Sequence, residues 1–173
     1  NSGKLSPLAQ QLTLGDEPTH LSQSRDGRYL FVSNYGSSAN PGGSLAVMPT
    51  ANDGTLMPVT QIAAHKASEV HPQRQQSAHV HSAVMSPDGK TLYSAEYYTA
   101  RVNAIDVASG KIVDSWTGAS TDNLCRQIVL HPTRPKACIP HIRSRIAAAQ
   151  GEGSIFPYVG VVDTKNGKGR RRK

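Results

Sequence analysis

The sequence predicts an all-β fold, in which short antiparallel strands recur in a fixed order along the chain. Two observations predict it. Apolar and polar residues alternate in short runs that end in turn residues, which is typical of half-buried strands. One run-turn-run pattern also occurs three times, and each copy is followed by a further apolar run and a glycine-bearing turn. Repeated units of four short antiparallel strands are the sequence pattern of a β-propeller.

The first two strands of each unit are joined by a short turn. The three copies are HLSQSRDGRYLFVSN (His20 to Asn34), SAVMSPDGKTLYSAE (Ser82 to Glu96) and QIVLHPTRPKACIPH (Gln127 to His141). Asp26-Gly27 and Asp88-Gly89 predict tight hairpins, because Gly accepts a positive φ and Asp can bond its local backbone. In the third copy, residues 133–135 replace this turn and add one residue to it.

Two further strands complete each unit. The third strands are predicted in GSLAVMP, RVNAIDV and YVGVVDT, and the fourth in TLMPVTQI, KIVDSW and KGRRRK, after Gly54, Gly110 and Gly167. Gly3 to Leu8 fits the fourth strand of a preceding unit. Ala64 to Ala78 and Arg143 to Pro157 have no strand pattern and are predicted to be loops. We therefore expect about three complete four-stranded blades with partial flanking strands.

Three units do not close a propeller, because closed rings have roughly four to eight blades. The open ends of such a stack would expose unpaired backbone groups and the apolar faces between blades. We therefore expect the missing blades to come from the same, longer chain or from another subunit. The propeller blades are assigned to residues 1–167 and a basic tail to residues 168–173.

The formal net charge is +7, but five of these charges lie in the last six residues. Such a terminal cluster is typical of a solvated tail. With two Phe and one Trp, the chain offers few rings for base stacking, and we expect no nucleic-acid partner. No apolar run approaches the roughly 20 residues of a membrane-spanning helix. The chain begins with Asn1 and not Met, which leaves the compartment open, with a periplasmic or extracellular location favoured.

The sequence contains no pattern typical of a bound cofactor, and none is expected. It has neither a glycine-rich phosphate loop nor a CxxCH haem motif. The predicted third hairpin places Cys138 opposite Val129, and Cys125 lies about 13 Å from that position along its strand. Because this separation is too long for a disulfide bond, both cysteines are expected to pack as small apolar side chains.

The region from Pro18 to Val107 contains several motifs in a distinctive order. They are YLFVSNYG, GGSLAVMP, DGTL, the pair Arg74-Gln75, the pattern His79-x-His81-Ser82, and SPDGKTLYSAE. In these motifs the chain resembles the lactonase-type seven-bladed β-propellers, the 6-phosphogluconolactonase-like family. From Leu124 onward, LHPTRPKACIPHIRSR resembles the YVTN-repeat propellers. The resemblance implies a ring of seven blades and the hydrolysis of a lactone.

His79 and His81 lie two residues apart at the start of a predicted innermost strand. Alternation along a strand places both rings on one face and Val80 on the other. An innermost strand borders the central channel of a propeller. The turn alignment places Arg126 at the equivalent of His81 in the next blade. The equivalent positions at the ends of the second strands are Asn34, Glu96 and His141.

Three interpretations of this group remain open. A metal site would use both imidazoles, but zinc normally needs three protein ligands and no third is evident, so no metal is assigned. A hydrolytic site would activate water and hold an anionic substrate. The residues assigned to it are His79, His81 and Glu96 for proton transfer, and Arg74, Gln75, Arg101 and Arg126 for substrate binding. The third interpretation is a polar lining of the channel without catalysis.

The first expectation for function is a binding or assembly module within a larger propeller protein. The alternative is a lactone hydrolase that acts on an anionic sugar-acid lactone. Fold analogy does not decide whether the protein is an enzyme, because one fold serves many functions. A small anionic ligand is expected in either case, and if the protein is an enzyme, it is expected to be a hydrolase.

Overall fold

A computed structural model describes residues 3–36, 43–66, 76–97, 99, 101–117, 123–143, 158–165 and 169–172. Within these ranges the chain forms thirteen β-strands and no helix, which confirms the all-β prediction. The described part of the chain accordingly offers no helix with the length and hydropathy to cross a membrane.

The strands form three antiparallel sheets, which we call blades 1, 2 and 3. Blade 1 contains β1 (Pro18–Gln23), β2 (Tyr29–Asn34), β3 (Ser44–Pro49) and β4 (Gln61–Ala64), paired in that order. Blade 2 contains β5 (Val80–Met85), β6 (Thr91–Glu96), β7 (Arg101–Asp106) and β8 (Ile112–Thr117) in the same arrangement. Blade 3 contains β9 (Asn123–Cys125), β10 (Val129–Leu130), β11 (Lys136–Arg143), β12 (Tyr158–Asp163) and β13 (Gly169–Arg172). Since β9 and β10 both pair with β11, they form one interrupted innermost strand.

The turn between the first two strands is built in the same way in blades 1 and 2. In blade 1, Ser24 Oγ donates to Asp26 Oδ1 at 2.6 Å, and this oxygen also accepts the Arg28 N–H at 3.1 Å. Residues 86–90 repeat these contacts at the same distances. In blade 3 the imidazole Nδ1 of His131 accepts the N–H groups of residues 133 and 134, and so replaces the Asp carboxylate.

Adjacent blades pack face to face and bury an apolar cluster between them, which removes that surface from water. Blades 1 and 2 enclose Phe31, Leu45, Ala83, Leu92 and Ile105. Blades 2 and 3 enclose Ala95, Val102, Cys125, Ile128, Ala137 and Ile139. Because side chains alternate along β6, Leu92 packs toward blade 1 and Ala95 toward blade 3. The same alternation directs the polar end of β6 toward blade 1.

One predicted strand is absent. Residues 3–13 form no strand, and Leu5 and Leu8 are 94% and 83% exposed, so the prediction of a fourth strand at Gly3 to Leu8 is wrong. A fourth strand takes its backbone hydrogen bonds from the third strand of its own blade. No such strand pairs with these residues among those described, and their apolar pattern alone does not form a sheet.

The C-terminal residues form the fourth strand that was predicted in KGRRRK, and not a tail. Gly169–Arg172 forms β13, which pairs with β12, so residues 169–172 of the predicted basic tail are the edge strand of blade 3. Cys138 lies opposite Val129 as predicted, and neither cysteine forms a disulfide bond within the described residues. Cys125 is fully buried, and burial raises the pKa of its thiol. Of the two predicted loops, residues 67–75 and 144–157 lie outside the described residues.

Candidate active site

A β-bulge lies at the start of the innermost strand in blades 1 and 2. In blade 2 the pairing passes from Val80 and Glu96 directly to Ser82 and Ala95, so His81 is an additional, unpaired residue. The same shift in blade 1 leaves residue 19 unpaired. A bulge locally bends the strand and changes the direction of the bulged side chain.

The equivalent residue of blade 3 is Arg126. The register pairs Pro18 with Asn34, Val80 with Glu96, and Cys125 with His141, which confirms the predicted equivalence of the second-strand ends. Arg126 follows Cys125 and begins the interruption between β9 and β10. Residue 19, His81 and Arg126 therefore hold the same place in three successive blades. The Oγ1 of Thr19 also donates to the His81 carbonyl at 3.3 Å and links blades 1 and 2.

His79 is fixed by the backbone that leaves blade 1. Its Nδ1 lies 2.9 Å from the carbonyl oxygen of Tyr35, and the centroids of the two rings are 4.7 Å apart. A carbonyl oxygen accepts hydrogen bonds and donates none, so the neutral imidazole must carry its proton on Nδ1. This tautomer leaves the basic lone pair of His79 on Nε2.

His81 lies beside two tyrosine rings. Its ring centroid is 5.9 Å from that of Tyr35 and 5.4 Å from that of Tyr97. Burial lowers the pKa of His81 below 6.5, and the positive charge of Arg126 lowers it further, so this imidazole is neutral at pH 7. Its Nδ1 is buried and has no hydrogen-bond partner among the described residues. His20 lies next to the blade 1 bulge, and burial lowers its pKa as well. Its Nδ1 is likewise buried without a hydrogen-bond partner among the described residues.

Arg126 joins the group from blade 3. Its Nη2 donates to the hydroxyl of Tyr97 at 3.1 Å, and its guanidinium carbon lies 5.1 Å from the centroid of the Tyr97 ring. This distance is within the range of a cation–π contact. The centroids of Tyr35 and Tyr97 are 5.8 Å apart. We call the group formed by Tyr35, His79, His81, Tyr97 and Arg126 the tyrosine–histidine cluster.

The two tyrosines were not predicted from the sequence. Each follows the last residue of a second strand, Tyr35 after β2 and Tyr97 after β6. The shared register of these two aromatic residues in the aligned repeats was a signal that could have identified them. The prediction that both imidazoles share a side is confirmed, because both contact Tyr35 while Val80 is fully buried.

Glu96 belongs to a different group. Its side chain is 1% exposed, and its Oε1 lies 2.5 Å from Nδ1 of His65, which follows β4 of blade 1. Thr99 donates its hydroxyl to Oε2 at 3.3 Å. Asn103 and Ser94 also lie within hydrogen-bonding distance of the His65 ring. The contacts of Glu96 therefore lead into a buried polar network between blades 1 and 2, and not to either imidazole of the cluster.

The remaining predicted residues are placed as follows. Arg101 begins β7 opposite Glu96, is partly exposed, and makes none of the cluster contacts. Arg74 and Gln75 lie outside the described residues. Within the described ranges, no three His, Cys, Asp or Glu side chains come together in a way that could hold a metal ion. The structure thus brings together His79, His81 and Arg126 from the predicted set, and adds Tyr35 and Tyr97.

Comparisons with known proteins find lactonases among the proteins similar to this chain. The family model described as a lactonase, 7-bladed beta-propeller, matches residues 1–123. A 6-phosphogluconolactonase of Bacillus subtilis (strain 168) is 26% identical over 140 residues, which are 80% of this chain and 38% of that protein. The structure of the periplasmic gluconolactonase of Pseudomonas aeruginosa aligns with a TM-score of 0.69 at 28% identity, over 98% of this chain and 60% of that one.

A second solved structure shows the same fold. The provisionally assigned 6-phosphogluconolactonase of Bacteroides uniformis aligns with a TM-score of 0.69 at 20% identity, over 98% of this chain and 60% of that one. The chain thus spans 38% to 60% of the length of these relatives. The family match ends at residue 123, so the likeness of the following segment to YVTN-repeat propellers stays a prediction.

Proposed function

Because the chain belongs to the lactonase family of seven-bladed β-propellers, we propose that the full-length protein hydrolyses an anionic sugar-acid lactone. The names of its relatives support this function over that of a binding or assembly module. The observation that carries the proposal is the convergence of two imidazoles and one guanidinium on a pair of tyrosines at the blade 2 bulge. This arrangement combines a base with a group that binds anions.

His79 is the proposed general base. The Tyr35 carbonyl holds the Nδ1 proton, so Nε2 accepts a proton from water. The water oxygen then bonds to the lactone carbonyl carbon, and the ring C–O bond breaks as the tetrahedral intermediate collapses. The proton on Nε2 passes to the departing alkoxide oxygen. One water molecule and one lactone thereby give one hydroxy acid, and His79 returns to its starting state.

His81 is the second proposed proton-handling residue. Its position on the bulge directs the ring toward Tyr97 and Arg126, away from ladder pairing. Burial and the charge of Arg126 lower the pKa of His81, so that it stays neutral where a second cation would repel the guanidinium. A neutral imidazole carries one N–H donor, which suits the carbonyl and alkoxide oxygens of the reaction because both of them accept hydrogen bonds.

Arg126 is the proposed anion-binding residue. Its side chain is exposed, and a guanidinium can bind a carboxylate or phosphate with two parallel hydrogen bonds. Arg74 and Gln75, from the family pattern, and Arg101 stay in the proposal as further substrate-binding residues. Glu96 is proposed to act only by holding blades 1 and 2 together, since its carboxylate is enclosed with His65.

The proposal includes the completion of the ring. The chain spans 38% of the length of its Bacillus relative and 60% of its Pseudomonas one. The exposed leucines that precede the first strand in the sequence, Leu5, Leu8 and Leu12, provide apolar surface that a neighbouring blade could cover. We propose that the remaining blades come from the same, longer chain or from another subunit. The periplasmic location of the Pseudomonas relative supports a periplasmic or extracellular location.

The test is a lactone-opening assay on the full-length protein. Proton release is followed at constant pH with a sugar-acid lactone, and the spontaneous rate is subtracted. The proposal predicts saturable hydrolysis at a rate that is proportional to protein concentration. Saturable binding of the lactone without any added hydrolysis would instead support the binding module and overturn the enzymatic proposal.

A further inference from the structure

Within the tyrosine–histidine cluster, Tyr97 contacts both the imidazole of His81 and the guanidinium of Arg126. We propose that Tyr97 is a positioning residue that gives the site its preference for anionic lactones, because it holds the guanidinium of Arg126 in place. The proposal rests on the proposed function and specifies its substrate class: lactones that carry a phosphate or carboxylate group.

Tyr97 is itself anchored without help from Arg126. Its backbone N–H donates to the His79 carbonyl at 2.9 Å. Its ring centroid lies 5.8 Å from that of Tyr35 and 5.4 Å from that of His81. Blades 1 and 2 therefore fix the position of Tyr97, whereas Arg126 belongs to blade 3.

Arg126 needs such a support. It lies in the segment between β9 and β10, where the innermost strand of blade 3 is interrupted, and its side chain is exposed. A long, exposed side chain loses rotamer freedom when it binds a ligand, unless it is already held in the bound geometry. The Tyr97 hydroxyl accepts from Nη2 at 3.1 Å, and the ring lies 5.1 Å below the guanidinium carbon. Two contacts on one side chain limit the positions that the guanidinium can take.

A guanidinium that is held in place favours substrates with a negatively charged group. A guanidinium has five N–H donors, and the hydrogen bond to Tyr97 uses one of them. The others can bind phosphate or carboxylate oxygens, whereas an uncharged lactone gains little from this group. The named relatives differ in this respect, since one is a 6-phosphogluconolactonase and another a gluconolactonase. The Tyr97–Arg126 contact favours the anionic substrate in this chain.

The experiment compares two substrates in the full-length protein. KM and kcat are measured for 6-phosphogluconolactone and for uncharged glucono-1,5-lactone, in wild type, Tyr97→Phe and Tyr97→Leu. Tyr97→Phe keeps the ring and removes the hydroxyl; we expect KM for the phosphorylated lactone to rise about 5- to 20-fold, with kcat within about twofold. Tyr97→Leu should raise this KM further. KM for the uncharged lactone should change less than about twofold in Tyr97→Phe. The matched control is Tyr29→Phe, at the start of β2 in blade 1 and outside the cluster.

A double-mutant cycle separates positioning from general damage. Arg126→Lys keeps the charge but loses the planar donor fork, and should raise the same KM. If Tyr97 acts through Arg126, Tyr97→Phe combined with Arg126→Lys will be no worse than Arg126→Lys alone. Equal losses for both substrates, no change in Tyr97→Phe, or multiplicative effects in the double variant would overturn the proposal.

The positioning role can be tested even if hydrolysis is absent. Binding of glucose 6-phosphate and of uncharged glucose is measured by calorimetry in the same variants. A protein that opens neither lactone would contradict the proposed function. Selective weakening of glucose 6-phosphate binding in Tyr97→Phe would still support the role of Tyr97, whereas unchanged binding of both ligands would overturn it.

Discussion

The Nδ1 of His79 lies 2.9 Å from the carbonyl oxygen of Tyr35, so a ring from blade 2 is oriented by the backbone that leaves blade 1. This contact determines which nitrogen carries the proton, and it places the lone pair of the neutral ring on Nε2. The contact depends on the stacking of two blades. It also explains why the site lies where the second strand of one blade meets the first strand of the next.

Because these two blades approach closely, we predict that substitution by alanine will have different effects at two glycines. Gly43 has a φ of +59°, and a Cβ there would overlap the Ala78 carbonyl and press on the His79 backbone. Gly89 has a similar φ of +71°, but the nearest atom to a Cβ there is the Met85 sulfur at 3.9 Å. Both substitutions to Ala therefore carry the cost of a left-handed backbone, about 1 to 2 kcal/mol. Only Gly43→Ala should also displace His79.

The measurement compares lactone hydrolysis and thermal unfolding in Gly43→Ala and Gly89→Ala. Gly89→Ala should lower the melting temperature by a few degrees while kcat/KM is retained. Gly43→Ala should lower the melting temperature further and reduce kcat/KM by at least about tenfold. Equal effects of the two variants would show that the approach of Gly43 to residue 79 does not position the site.

The buried partner of Glu96 predicts a structural role for this carboxylate. Glu96→Ala removes the carboxylate partner of His65 from a site that is 1% exposed, and should lower the free energy of unfolding by about 3 to 5 kcal/mol. Glu96→Gln keeps an acceptor for the His65 ring and should retain kcat within about threefold. Denaturant unfolding and initial rates on the folded fraction measure these two effects. A loss of kcat in Glu96→Gln as large as that in a His79 variant would show that Glu96 takes part in proton transfer.

The lowered pKa of His81 predicts how stability depends on pH. Because the folded pKa lies below the unfolded value of 6.5, the unfolded state binds more protons between the two values. The contribution of His81 is fully present above pH 6.5 and is lost as the pH falls through the folded pKa. His81→Gln should therefore show a smaller loss of stability between pH 7.5 and pH 5 than wild type does, as measured by the urea midpoint. His20→Gln is the matched comparison, since burial lowers the pKa of His20 in the same direction. Identical pH profiles in His81→Gln and wild type would contradict the burial of this imidazole.

The strands were predictable because the information that specifies them is local. Alternation has a period of two residues, and the Asp26-Gly27 turn has the same internal hydrogen bonds in the structure that its sequence predicts. The equivalence of His81 and Arg126 followed from aligning such turns. Local pattern alone was misleading at Gly3 to Leu8, where no partner strand pairs with the apolar residues.

The site was only partly predictable because its contacts cross between blades. The pattern His79-x-His81 identified two imidazoles, but the bulge that re-aims His81 depends on pairing with β6. Tyr97 contacts an arginine 29 residues further along the chain, and His65 meets a carboxylate 31 residues away. Period-two alternation carries no information about such distances. For this reason the sequence did not indicate that Glu96 would be enclosed with His65, which lies in a stretch without a strand pattern.

The central claim is that His79 is the base that activates water for lactone opening. The most direct measurement is kcat/KM of His79→Ala on a sugar-acid lactone in the full-length protein, with His131→Ala, in the blade 3 turn, as the matched control. We predict a fall of about 10²- to 10⁴-fold for His79→Ala and a rate within about threefold of wild type for His131→Ala. Equal rates for wild type and His79→Ala, in proteins with the same melting temperature, would contradict the account.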